Sequence, residues 1–95
     1  MTKGNEKIGE RINIAAYYLS QKNFPYDTLC WMLAERQLYI QQNFQTPEKN
    51  LTKKKAAEIF FSTPPYDVLC WLISEFDIIL KIKGSKKTSK PYFLL

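Results

Sequence analysis

"PYDTLCWMLAE" runs from Pro25 to Glu35, and forty residues later the chain reads "PYDVLCWLISE", Pro65 to Glu75. Seven of the eleven positions are identical: Pro, Tyr, Asp, Leu, Cys, Trp and Glu. Each copy looks like the start of a helix. Proline's fixed φ and missing N–H suit the first turn, and an aspartate close behind meets the positive helix end. Tyr26, Leu29, Cys30, Leu33 and Leu38 then recur at helical spacing, with Trp31 and Ala34 beside them. A helix spelled twice predicts a duplicated structural unit.

The rest of the chain can be read outward from these two helices. Ile8, Ile12, Ala15, Ala16 and Leu19 form one helical stripe, widened by Tyr17 and Tyr18, in a first helix that stops near Lys22 and Asn23. The second helix starts at Asn23 or Phe24, holds Pro25 in its first turn and fades near Asn43. Arg36, Gln37, Gln41 and Gln42 fall on its wetter side. Thr46, Pro47 and Glu48 read as cap, first position and first-turn acid of a third helix within 47–61, with a break allowed near Asn50. There Lys53, Lys54 and Lys55 are a solvated run, and Ala56, Ala57, Ile59, Phe60 and Phe61 are apolar. Thr63 reads as the cap of a fourth helix, Pro64 and Pro65 as its first turn, and Lys81, Ile82, Lys83 and Gly84 as its end. No segment alternates as a strand does.

The expected fold is all-α: a four-helix domain made of two similar helical hairpins, an internal pseudo-two-fold repeat. One domain covers residues 1–84, with repeat 1 at about 7–43 and repeat 2 at about 47–83. Residues 85–95 form a basic tail ending in the apolar "PYFLL". Ala16 aligns with Ala56 and Leu19 with Ile59 at the same offset. A helix pair this short cannot bury its own apolar stripe, whereas two copies packed together can. Tyr26, Cys30 and Trp31, with Tyr66, Cys70 and Trp71, are the expected repeat core.

The net charge of +5 on 95 residues is unevenly placed. Residues 1–80 hold nine Lys or Arg and nine Asp or Glu, so the whole excess lies in Lys81, Lys83, Lys86, Lys87 and Lys90. That is a neutral body with a basic arm. Those five lysines are the candidate contacts for a nucleic acid. Binders of that kind interleave aromatics or arginines with their charge; here the aromatics follow the lysines.

The chain has no histidine, so neutral acid–base chemistry would fall to a shifted carboxylate, Lys or Cys. Cys30 and Cys70 form no CxxC pair and sit in apolar runs, as small buried hydrophobes do. Three glycines make no phosphate loop. Asp27, Glu35, Asp67 and Glu75 are related by the repeat and could hold a metal between its halves, although helical dimetal sites normally bring histidines. The expectation is a non-catalytic protein with no cofactor and no metal. "MTKGNEKIGERIN" has no apolar signal core and no apolar run approaches membrane-spanning length, which predicts a reducing cytoplasm and free thiols.

Residues Arg11–Leu38, "RINIAAYYLSQKNFPYDTLCWMLAERQL", resemble a small helical bacterial family described only as a domain of unknown function. Its pattern is an Ala-Tyr pair, a turn, then Asp-x3-Trp-x2-Ala-Glu-Arg-x-Leu. Here those positions are Ala16-Tyr17, Asp27, Trp31, Ala34, Glu35, Arg36 and Leu38. The second copy carries Asp67, Trp71, Ser74, Glu75 and Ile78, with Phe76 in the arginine position. The resemblance implies a helical fold and brings no activity with it.

The fourth helix is apolar nearly all round, from Val68 to Ile73 and again at Phe76, Ile78, Ile79, Leu80 and Ile82. A helix of that kind needs burial on all sides, which a short monomer struggles to provide. The expected function is therefore a protein–protein interaction module, self-associating or part of a larger assembly, with Leu72, Phe76, Ile79 and Ile82 at the contact.

Overall fold

The computed structural model describes residues 3–84, with side chains described over 7–82. The described residues form four helices: α1 (Lys3–Gln21), α2 (Tyr26–Gln41), α3 (Lys49–Ser62) and α4 (Tyr66–Gly84). No strand occurs among the described residues. The all-α, four-helix architecture is the expected one.

The helix starts differ in detail from expectation. Pro25 is the cap residue of α2 rather than part of its first turn, and its carbonyl accepts the Leu29 N–H at 3.1 Å. Pro65 accepts from Leu69 in the same way at 3.0 Å. Thr46 does not cap α3; Glu48 stands at that position without a side-chain cap, and Pro47 is buried ahead of it. The helix continues unbroken through Asn50. Thr63 is not the N-cap of α4 but the C-cap of α3, in the left-handed conformation with φ 52°. Asn23, its counterpart forty residues earlier, has φ 56° after α1. Each donates its N–H to the carbonyl three residues back, Ser20 or Phe60, at 3.2 Å.

At the end of α2, Asn43 N–H reaches the Ile40 carbonyl at 3.3 Å, and Phe44 N–H the Tyr39 carbonyl at 2.8 Å. Asn43 adopts φ 55° and Phe44 φ 64°. This paired pattern satisfies the last carbonyls and turns the chain out of the helix. The Phe44 ring also meets Tyr39 edge-on at 5.7 Å, the apolar contact that accompanies such a stop.

Packing follows an order that the chain order does not suggest. α1 lies against α4, α4 against α2, and α2 against α3, while among the described residues no other pair of helices comes within 8 Å between Cα atoms. The first helix of each repeat thus packs on the second helix of the other. α2 and α4 run side by side in the same direction, since Tyr26 meets Pro64 near their starts and Arg36 meets Asp77 near their ends.

The core lies between these two helices. Leu29, Cys30 and Leu33 interleave with Leu69, Cys70 and Ile73, all 2% exposed or less. The set maps onto itself under the forty-residue offset. Ala16, Leu19 and Ile59 from the outer helices close over it. Burying a side chain of this size contributes about 1.5–3 kcal/mol.

Candidate functional site

Two open grooves flank the core. The first, of about 410 Å³, lies between α1 and α4 and is lined by Asn13, Ala16, Tyr17 and Ser20 facing Asp67, Cys70 and Trp71. The second, of about 300 Å³, lies between α3 and α2 and is lined by Lys53, Ala56, Ala57 and Phe60 facing Asp27, Cys30 and Trp31. Every residue in the second set stands forty positions from one in the first. The doubled "PYDxLCW" therefore builds one wall of both grooves, and each opposite wall comes from the other repeat.

Two tyrosines hold the groove ends in place. Tyr26 Oη donates to the Pro64 carbonyl at 2.5 Å, and Tyr66 Oη donates to the Phe24 carbonyl at 2.7 Å. Donors and acceptors exchange under the same offset. Asp27 and Asp67 accept the N–H of the following residue, Thr28 or Val68, at 2.9 and 3.0 Å. Each thereby satisfies one of the unpaired donors of a helix start.

The tryptophans are where the copies diverge. Trp31 Nε1 donates to Glu35 Oε2 at 3.0 Å, one turn along its own helix. Trp71 Nε1 instead donates to Asn13 Oδ1 on α1, at 2.9 Å. Trp71, expected in the repeat core, is 36% exposed and forms a groove wall; Trp31 is half-buried. Of the remaining expected core residues, Cys30 and Cys70 are buried and Tyr26 and Tyr66 half-buried. Both cysteines are free thiols. Burial pushes them above the ordinary thiol range, and the nearby carboxylate, Asp27 or Asp67, adds to the same direction. Thiols held in that state are poor nucleophiles.

The expected wet side of α2 is corrected at Arg36, which is only 3% exposed. Its Nε donates to Asp77 Oδ1 at 2.7 Å and its Nη1 to the Met32 carbonyl at 2.9 Å. Glu35 Oε1 lies 3.8 Å from Nη1. Burial raises the pKa of Asp77, and the hydrogen bond and charge of Arg36 oppose that rise. Sequence reasoning missed this pair because Arg36 and Asp77 are offset by forty-one and interrupt the repeat. The signal was present: the position aligned with Arg36 is Phe76, and the one aligned with Asp77 is Gln37.

The residues expected at an α4 interface divide. Leu72 and Phe76 pack against the chain's own core, while Ile79 is half-buried and Ile82 44% exposed. The apolar girth of α4 has a local reason, since α1 covers one side and α2 another. The most exposed apolar residues stand elsewhere. Ile14, Tyr17 and Tyr18 on α1 are 58%, 60% and 62% exposed, and Phe61 on α3 is 79% exposed.

Among the described residues no three of His, Cys, Asp and Glu gather as metal ligands, so Asp27, Glu35, Asp67 and Glu75 form no shared site. Lys81 is exposed, and α4 carries Lys83 in its last turn. Lys86, Lys87, Lys90 and the "PYFLL" segment lie outside the described residues. No described helix is long and apolar enough to cross a membrane. No family model matches the chain, and neither the curated proteins nor the solved structures contain a match to it.

Proposed function

We propose that this chain is a non-catalytic, cytoplasmic protein-interaction module that assembles with further copies of itself through the outer face of α1. The observation that carries this reading is the exposure of Ile14, Tyr17 and Tyr18, three large side chains within five residues. Tyr17 and Tyr18 also meet edge-on at 5.5 Å, which makes them a joined aromatic surface. Contiguous apolar surface of this kind is commonly a contact site, and tyrosine is a frequent anchor there. The reading moves the contact from α4 to α1, because Leu72 and Phe76 are engaged within the chain.

Light scattering on the purified chain tests it. The expected mass exceeds that of one chain, and Ile14→Asp combined with Tyr18→Ser returns it to a monomer of unchanged helicity. A monomeric wild type overturns self-association.

A second reading rests on charge. Lys81, Lys83, Lys86, Lys87 and Lys90 follow one another with no intervening acid, beyond a body whose charges balance. Such an arm suits the phosphates of a nucleic acid.

A further inference from the structure

The packing order leaves two helices at its ends. α1 and α3 each cover one side of the central pair, and among the described residues they do not meet each other. Both carry exposed apolar side chains: Ile14, Tyr17 and Tyr18 on α1, Phe60 and Phe61 on α3. The two faces differ in shape. α1 presents three large side chains. α3 presents a hollow, the groove of about 300 Å³ in which the small Ala57 sits among Lys53, Phe60 and Phe61, with Trp31 on the far wall.

We infer that the outer face of α1 in one copy seats in the α2/α3 groove of the next, so that copies join head to tail. The inference rests on α1 carrying the self-contact, as proposed above, and adds what receives it. Spacing is the first support. Glu10, Ile14, Tyr17 and Tyr18 recur at the same intervals as Lys53, Ala57, Phe60 and Phe61, forty-three positions later. Laid side by side in one direction, the two helices set Glu10 level with Lys53, Ile14 with Ala57, and the tyrosines with the phenylalanines. A branched side chain then meets the gap left by a small one, and aromatic rings meet aromatic rings.

Charge is the second support. Glu10 and Lys53 are both exposed, whereas Lys55 already pairs with Glu58 at 3.8 Å. Arg11 falls level with Lys54, a like-charged match, but both are exposed and water screens it. The divergence of the repeat is the third. Asn13, Tyr17 and Ser20 of α1 stand where α3 has Lys53, Ala57 and Phe60. The aligned positions thus give the cation and the gap to α3 alone, and the contact has two different sides. Such a contact does not close within a pair. Each pair still offers one α1 face and one α3 face, so growth continues until a ring closes.

Two variants, each spoiled on one face, test this. Ile14→Asp with Tyr18→Ser spoils α1, and Ala57→Arg with Phe61→Ser spoils α3; circular dichroism checks that both stay helical. In light scattering the wild-type mass should rise with concentration past two chains, and each variant alone should be a single chain. Mixed in equal amounts, the variants should form a pair of one each that grows no further. Glu10→Lys and Lys53→Glu should each weaken assembly, and the two in one chain should restore it. A monomeric wild type overturns self-association and this inference together. An α3 variant that assembles as the wild type does leaves the α1 contact standing and overturns the head-to-tail arrangement. So does a mixture that stays monomeric while the wild type assembles.

Discussion

Arg36 and Asp77 join α2 to α4 through a 2.7 Å hydrogen bond at a level where the two copies of the repeat are no longer alike. Arg36 is 3% exposed, and the side chain of Asp77 is 29% exposed. Removing one member strands the other in a poorly hydrated place. Arg36→Met should cost about 3 kcal/mol, the lower end for a broken buried pair because Asp77 keeps some access to water. Replacing both, as Arg36→Met with Asp77→Leu, should recover most of that loss. Urea denaturation of the three variants gives the coupling energy directly.

The same pair carries a pH dependence. Burial already lifts Asp77 above its ordinary 3.8, and Arg36 opposes the lift. In Arg36→Met the opposing influence is gone, so Asp77 should titrate higher still. A carboxyl raised in the folded state contributes stability below its unfolded pKa and loses it as pH rises through the folded one. The variant should therefore be closest to wild type near pH 3 and furthest from it at neutral pH. A destabilisation that does not change across this range would contradict the assignment.

Gln37 aligns with Asp77 but has no counterpart of Arg36 to meet, because Phe76 stands there. Its Oε1 is buried without a hydrogen-bond partner among the described residues. An unsatisfied buried acceptor costs about 1–3 kcal/mol. Gln37→Met should leave stability unchanged or raise it, measured by thermal unfolding. A clear loss would mean that the amide has a partner, such as a bound water.

Thr63 is a β-branched residue with φ 52°, whereas its counterpart Asn23 meets the same need with a residue suited to it. Thr63→Asn copies the first repeat into the second and should stabilise the chain by about 0.5–1 kcal/mol, since Asn enters the left-handed region more readily. The Thr63 hydroxyl donates only to the neighbouring Ser62 carbonyl, so little is given up. Chemical denaturation of the single variant decides it.

Tyr26→Phe and Tyr66→Phe should each cost about 1 kcal/mol, the worth of one partly buried hydrogen bond. Their similarity is the informative part, because the two bonds exchange under the repeat. Unequal costs, with one near zero, would show that only one hydroxyl carries its end of the core.

The basic arm predicts salt-sensitive binding to nucleic acid through its lysines. Affinity for single-stranded DNA or RNA should fall steeply between low and physiological salt. A chain ending at Gly84 should lose it while remaining helical. Binding that survives the truncation would place the contact on the helical body.

The sequence by itself determined that this protein is helical, that it has four helices, and that two of them are versions of one another. Helix starts and stops are local matters of proline, left-handed turns and apolar spacing, so they are legible within a few residues of chain. Even there the proline junctions shifted: Pro25 and Glu48 became caps, and Thr63 closed α3 instead of opening α4. The buried cysteines were likewise readable, because they sit in apolar runs that the repeat spells twice.

Only the tertiary structure decided which helix covers which. The two related helices α2 and α4 lie in parallel, and the first helix of each repeat packs on the second helix of the other. That crossing exposes Trp71, turns the first helix outward at Ile14, Tyr17 and Tyr18, and uses Leu72 and Phe76 internally. It also sets Arg36 against Asp77. An ion pair between residues forty-one positions apart has no local signature. It exists because burial takes most of the water from Arg36 and part of it from Asp77, and each group meets the other's charge in its place.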